Sequence, residues 1–376
     1  MIASPRGGAC QSGAVLREWP NDTWGQIEIT GTGVNRPTID DVAALAGVAR
    51  TTVSRVLNKQ PNVREEVRAK VMQAVEKLGY RVNLQARNLA GRKGLRITMV
   101  HASDFDTEPN SYFSSALELG ATRAGAGLGV QLLNQVVNQN DPGAAADIVA
   151  RLSDDQCDGA ILTPPFSDNQ DLLRTLRGLG IAVVCIAAAP QSEGLAMVLG
   201  IDDYRAGHDI GAHLVAQGHR QFGFIKGLKG HVSAETRYDG FLSALADAGL
   251  GETSVSPVRG NFTFKSGYEC AQALLANGRK LTALVCANDD MAAGALLAAH
   301  KQGLAIPQDV AITGFDDTPV SEIVWPPLTT IHQPLRRMGA RAVERLVEAV
   351  SDLGERHGRE VLGHDLVVRD SSFSVP

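Results

Sequence analysis

Apolar positions along this chain fall into two textures. Between residues 37 and 93 they recur at helical spacing; from residue 95 onward, short unbroken apolar runs alternate with helix-length segments. In the first region Thr38 is placed to cap a helix whose Ile39, Val42, Ala43 and Ala46 share one face at i, i+3, i+4 and i+7. Gly47 stops that helix, because glycine enters positive φ without steric cost. Val48 and Ala49 turn the chain. A second helix is predicted over 50–58, with Val53, Val56 and Leu57 inward and Arg50, Thr51, Ser54, Arg55 and Asn58 outward. A third spans 62–79. Asn62 and Glu65 have capping-box spacing, Val63, Val67, Val71, Ala74 and Leu78 form the buried stripe, and Gly79 ends it. A head of roughly 45 residues built this way has only a marginal core.

The second texture comprises the runs LRITMV (95–100), VQLLNQV (130–136), GAILT (159–163), IAVVCIA (181–187), FGFIK (222–226), ALVCA (283–287) and VAITGF (310–315). Buried parallel strands joined by crossover helices give this pattern, and the length accommodates two such units. The expected fold class is therefore α/β: a small helical head followed by two doubly wound parallel sheets. Between them, 83–91 (NLQARNLAG) reads as a short amphipathic helix, too short to be stable alone in water. Residues 1–35 are Gly-rich and aperiodic, and are expected to be disordered; a start codon assigned too far upstream would also account for them.

Composition adds one asymmetry. Across 376 residues the net charge is −5, but residues 36–96 hold 13 Lys/Arg against 5 Asp/Glu, a local +8 that leaves −13 for the rest. A basic module on an acidic body suits phosphate binding by one part only. The five cysteines, Cys10, Cys157, Cys185, Cys270 and Cys286, show no CxxC spacing and read as reduced core residues of a cytosolic protein. No apolar run approaches the ~20 residues of a membrane span, and the first residues lack signal-peptide character.

The first two helices have helix-turn-helix form, in which the second helix enters the DNA major groove N-terminus first. Arg50 and Arg55 can each present a guanidinium fork to guanine, and Thr51 can touch a base edge or a thymine methyl. The plain alternative is a helical hairpin with a solvated basic face. Against that alternative, DDVAALAGVARTTVSRVLN (40–58) closely resembles the head of lactose/galactose repressor (LacI/GalR) family transcription regulators, and the likeness continues through 62–93. Body motifs GHRQFGFIKG, RYDGFLSAL, CANDDMAAGAL, ITGFDD and PPLTTIHQP extend it to about 37–369.

The resemblance implies a two-lobed, periplasmic-binding-protein-like body with an effector in the cleft and crossings near Gly200, Thr330 and Leu362. It implies domains over 36–80 (head), 81–94 (hinge) and 95–376 (body). Lobe 1 would take about 95–200 and 331–362, and lobe 2 about 201–330 and 363–371. It also implies that 83–91 folds on DNA, pairs with its copy in a second subunit and pushes Leu89 into the minor groove. The candidate DNA-binding residues are Thr38, Arg50, Thr51, Thr52, Ser54, Arg55, Asn58, Arg64, Asn83 and Leu89, with Arg64 expected on phosphate.

Candidate cleft residues stand at strand ends or in the loops after them, where open α/β sheets bind ligands. Thr163 closes GAILT, Asp202 follows MVLGI, Arg237 lies in VSAETRYDGF, Phe262 in GNFTF, Asn288 follows ALVCA and Asp316 follows AITGF. Arg237 can fork onto hydroxyls or a carboxylate, Asp202, Asn288 and Asp316 can accept from hydroxyls, and Phe262 can stack on a sugar face. By motif, Arg237, Asn288 and Asp316 match residues that contact effector across the family, and Asp202 and Phe262 match ones that do so in some members. Tyr112 and Phe113 fall where the family often carries an Asn-Pro-aromatic-aromatic motif. Ala187 stands where several sugar-binding members place an aspartate. The plain alternative for each is a capping, loop or core residue.

Other constellations carry less. His208 and His213 are five apart, not the i, i+4 of a zinc pair, and HExxH is absent, so neither a metal nor a cofactor is expected. GATRAGAGLG is not GxGxxG and begins within a helix. Asp316 and Asp317 are adjacent and diverge, which argues against acid/base catalysis. The leading reading is a non-enzymatic transcription regulator, a repressor of a carbohydrate-utilisation operon. It would act as a homodimer on a near-palindromic DNA operator, under control of a sugar or sugar derivative, in the cytoplasm at the nucleoid. Without a C-terminal leucine heptad, a dimer is expected over a tetramer. A transporter's solute-binding protein would need an export signal and no basic head, and a sugar kinase or dehydrogenase would need a phosphate-cradling Gly loop.

Overall fold

The computed structural model describes residues 38–57, 63–78, 94–103, 111–276, 280–351 and 356–373. The chain divides into two compact units, Met1–Val82 and Asn83–Pro376.

In the first unit, α1 (Ile39–Ala46) begins with a complete capping box. The Thr38 hydroxyl accepts from the Asp41 amide, and the Thr38 amide donates to the Asp41 carboxylate at 2.7 Å. Gly47 ends the helix at φ 65°, returning its N–H to the carbonyls of Ala43 and Ala44. Helices α2 (Arg50–Leu57) and α3 (Glu65–Leu78) complete a core of Val42, Ala43, Val53, Val56, Val71 and Ala74. Those six small side chains are the whole of its fully buried interior among the described residues, as the head's size requires. Val63 and Leu78 pack against this core as the stripe predicts; Val75 joins them, while Val67 is only half-buried. Asn62 and Gly79, the expected ends of α3, lie outside the described residues.

The second unit carries two parallel sheets. The first contains β1 (Arg96–Ser103), β2 (Gln131–Asn138), β3 (Gly159–Leu162), β4 (Ala182–Ile186), β5 (Met197–Ile201) and β11 (Gly358–Leu362), in the order β11-β5-β4-β3-β1-β2. Helices α4 (Ser111–Leu128) and α12 (Leu335–Val350) cover one face, packing Leu117, Met338 and Leu346 on Ile97 and Met99. Helices α5 (Ala144–Asp154) and α6 (Gln170–Gly178) cover the other, packing Ile148, Leu152 and Leu173 on Val100 and Leu162. Strands buried on both faces read as continuous apolar runs, which is why they were visible in the sequence.

The second sheet runs β7-β6-β8-β9, from β6 (Phe222–Lys226), β7 (Val255–Arg259), β8 (Ala283–Cys286) and β9 (Ala311–Thr313). It lies between α7 (Asp203–Ala216) with α8 (Val232–Asp247) and α9 (Phe264–Ala276) with α10 (Asp289–Lys301). A short α11 (Val320–Ile323) follows β9. A two-stranded antiparallel pair, β10 (Thr330–His332) with β12 (Asp365–Val367), completes the unit. The chain leaves the first sheet after Ile201 for α7, returns between His332 and Leu335, and leaves again between Leu362 and Asp365. Each sheet thus has its own core, and three strands of chain join the lobes.

Candidate functional site

The head offers α2. Arg50, Thr51 and Arg55 are exposed along it, and Thr52 and Ser54 are half-buried. Val53 and Val56 anchor the opposite face in the core, so the outward set follows from the 3.6-residue period. Arg64, just before α3, is exposed. Thr38 is exposed too, but its hydroxyl and amide are both occupied by the capping box. That box also holds the Asp41 carboxyl below its ordinary range, through the hydrogen bonds from the Thr38 backbone and hydroxyl. Asn58, Asn83 and Leu89 lie outside the described residues.

The body offers a cleft at the C-terminal ends of both parallel sheets. Its first-lobe wall is Ala102 and Ser103 at the end of β1, Phe113 and Ser114 on α4, Gln139 after β2, Thr163 and Pro164 after β3, and Ala187 after β4. Its second-lobe wall includes Leu228 after β6, His231, Ser233 and Arg237 at α8, Asn261 and Phe262 after β7, Asn288 after β8 and Asp316 after β9. Of the predicted cleft residues, Phe113, Thr163, Arg237, Phe262, Asn288 and Asp316 are brought together here.

Arg237 is buried, with Nε donating to Asp203 Oδ1 at 2.8 Å, Nη1 to the Ala287 carbonyl at 3.2 Å, and its guanidinium 3.7 Å from the Phe315 ring centroid. These contacts hold the fork at a fixed angle in the cleft wall. Asp316 is buried as well, and Gln333 Nε2 donates to its Oδ1 at 2.6 Å. Burial pushes the Asp316 carboxyl up to about 7, against the opposing pull of Arg237 and of the Gln333 hydrogen bond. Burial and the nearby Asp316 push Asp289 up too; it accepts from the Thr330 hydroxyl and the Thr318 amide, each at 2.7 Å. Asn288 caps α10 by accepting from Met291 N at 3.1 Å and donates to the Phe262 carbonyl at 2.9 Å, so it fixes the loop that carries the aromatic ring.

The Phe262 ring stands where glycine alone allows it: a Cβ on Gly227 would lie 2.0 Å from Phe262 Cζ. His231 meets that ring edge-on at 4.9 Å between centroids and shares a 3.1 Å hydrogen bond with the Ser233 hydroxyl. Burial first, then the neighbouring Arg237, holds His231 down to about 3, so it is a neutral imidazole at physiological pH. Backbone strain also gathers here. Ala187, Phe262 and Asp316 adopt φ of 50°, 68° and 103°, a region L-residues rarely enter, and all three line the cleft.

Two expected cleft residues stand elsewhere. Asp202 is exposed and outside the lining; its side chain caps α7, accepting from Arg205 N at 2.9 Å. Tyr112 packs against the first lobe's core. Phe113, one residue on, packs against the same core and also lines the cleft. The polar lining residues that were not expected are Ser103, Ser114, Gln139, His231, Ser233 and Asn261. Ser103 and Asn261 stand at the ends of β1 and β7, so inspecting every strand end would have found them. Asp316 and Asp317 do diverge: Asp317 pairs with Arg369 at 2.7 Å and His332 at 2.9 Å, away from Gln333. His208 and His213 also go separate ways, to Asp247 and Ser372.

Family models match the chain in two places: residues 38–83 as bacterial regulatory proteins of the lacI family, and residues 212–372 as a periplasmic binding protein-like domain. The HTH-type transcriptional repressor PurR of Mannheimia succiniciproducens is 33% identical over 339 residues, covering 89% of this chain and 98% of that protein. Among solved structures, a complex of the transcriptional regulator CelR with cellobiose is 30% identical with a TM-score of 0.66, covering 89% of this chain and 100% of that one. The lac repressor dimer bound to operator and the anti-inducer ONPF is 28% identical with a TM-score of 0.68, covering 90% and 99%.

Proposed function

The chain belongs to the lacI family of bacterial regulatory proteins, and from that premise we propose that it is a homodimeric repressor. It reads a near-palindromic operator with α2 and answers to a small sugar-like effector in the cleft. Arg50 and Arg55 present guanidinium forks to guanine edges, Thr51 a hydroxyl or methyl to its neighbour, and Arg64 a cation to phosphate. Twofold symmetry of two heads calls for two half-sites. Asn83 and Leu89 belong to the hinge segment that bends the operator. The protein acts by binding rather than by catalysis, at the nucleoid. No helix among the described residues is long and apolar enough to cross a membrane.

One observation supports effector control above the others. Arg237 and Asp316, the cleft's opposed charges, are each hydrogen-bonded to a residue where the chain passes between lobes: Arg237 to Asp203, Asp316 to Gln333. A ligand that engages either side chain therefore acts on the joints of the body directly. The experiment is selection of operator DNA from a random pool by the purified protein, with and without cleft ligands found by thermal shift. The expected result is a near-palindrome whose recovery changes with ligand in the parent but not in Arg237→Lys, which keeps a cation beside Asp203 and loses the fork. Ligand response surviving Arg237→Lys would place the effector elsewhere.

A further inference from the structure

The basic stretch 36–96 contains five acids: Asp40, Asp41, Glu65, Glu66 and Glu76. Asp41 is occupied by the capping box. Glu65 pairs with Arg68 along α3 at 3.5 Å, and Glu66 and Glu76 belong to that same helix. Asp40 is placed differently. Its Oδ2 stands 3.6 Å from Nη1 of Arg50, the first residue of α2. A recognition helix enters the groove by that end, so a carboxylate accompanies the leading cation toward a polyanion. At 3.6 Å the contact is an ion pair rather than a hydrogen bond, and it uses up neither the carboxylate's acceptors nor the guanidinium's five donors.

As a unit the pair is neutral and adds nothing to the charge that draws the head to phosphate. What it presents is a donor beside an acceptor. A G·C pair presents the complement in the major groove, with guanine O6 and N7 accepting and cytosine N4 donating. Guanine O6 and cytosine N4 are bonded to each other across the pair, so a donor on one and an acceptor on the other stand as neighbours. An A·T pair reverses both contacts, since adenine N6 donates and thymine O4 accepts. A phosphate engages Arg50 and leaves Asp40 facing like charge. Resting on the reading of α2 above, we propose that Asp40 determines specificity on the DNA surface. The ion pair opens onto one G·C pair, Arg50 donating to guanine and Asp40 accepting from the cytosine amino group. The plain alternative is an acid in the first turn of α1 that complements the helix dipole. That role would change head stability and leave base preference untouched.

The test uses the full chain and the operator it selects from a random pool. Arg50→Ala locates the pair in question, as the G·C position whose preference relaxes. Competition binding then compares the operator, the operator with that pair changed to A·T in both half-sites, and scrambled DNA. Asp40→Ala is expected to bind scrambled DNA more tightly than the parent, because a negative charge is gone. It is also expected to lose about 3- to 10-fold of the G·C over A·T discrimination, the scale of one hydrogen bond. The fraction of folded head divides out of that ratio, so a loss of helix stability alone does not produce the effect. An unchanged ratio in Asp40→Ala overturns the inference, whatever happens on scrambled DNA. The two readings fail separately. If Arg50→Ala relaxes a pair and Asp40→Ala does not, the assignment of α2 stands and only the inference falls; if Arg50→Ala relaxes none, base reading through Arg50 fails and the inference falls with it.

Discussion

The head and the body's cleft both rely on arginine, but they hold it in opposite conditions. Arg50 on the recognition helix stands 3.6 Å from Asp40, with side chains 68% and 64% exposed. Arg237 in the cleft stands 2.8 Å from Asp203, with side chains 7% and 11% exposed. An exposed pair contributes about 0–1 kcal/mol and is screened by salt, so Arg50 can exchange Asp40 for DNA at little cost. A buried pair is different. Its desolvation has already been met by the fold, and removing one partner leaves a charge without water or counter-ion. The head's binding strength should therefore follow ionic strength, and the cleft's should follow geometry.

The largest expected effect breaks the buried pair. Arg237→Ala should lower stability of the body by roughly 3–5 kcal/mol, whereas Arg50→Ala should change the head's by less than about 0.5 kcal/mol. Urea unfolding of both variants checks this, and similar losses would erase the contrast between the two regions.

The next effect concerns pH. Asp316 sits at about 7 in the folded chain against an ordinary value of 3.8, so between those two limits the folded state binds the extra proton. Its contribution to stability is full at low pH and is lost as pH rises from about 4 to about 7. Asp289 shifts in the same direction. His231, held down to about 3, works the other way, weakening the fold as pH falls below its ordinary 6.5. The difference between parent and Asp316→Asn isolates the carboxyl: the variant should gain stability relative to the parent as pH rises from 4 to 7. A difference that stays flat across that window would contradict the buried assignment.

In the head, Arg55→Ala should cost roughly 1–3 kcal/mol on operator and relax preference at one base pair. Arg64→Ala should weaken operator and scrambled DNA alike. Competition binding at several salt concentrations separates the two. Thr38→Ala, which removes the hydroxyl half of the capping box, should lower head stability by about 1 kcal/mol, read from thermal unfolding.

Much of this was legible from spacing. The buried strands announce themselves as apolar runs, and Asn288 and Asp316 stand just beyond the ends of β8 and β9. Shorter strands were hidden for identifiable reasons. Strand β7 is broken by Pro257, which an edge position tolerates and an apolar-run search does not. Strands β10 and β12 span three residues each and pair across more than thirty positions of sequence, so only tertiary contact creates them. Asp202 shows a deeper limit. Helix capping and ligand contact draw on the same residue types at the same strand-to-helix junction; Asp202 caps from outside the cleft, while Asn288 caps from within it. Sequence cannot separate those cases, because the difference lies in where each junction points.

In a ligand-controlled regulator, occupancy of the cleft and grip on DNA form one coupled equilibrium. Linkage makes this directly measurable: effector must change operator affinity by the same factor as operator changes effector affinity. Using the selected operator and the tightest calorimetric ligand, both factors should agree and fall between about 5- and 150-fold. Tight binding of each ligand with both factors equal to one would contradict the account.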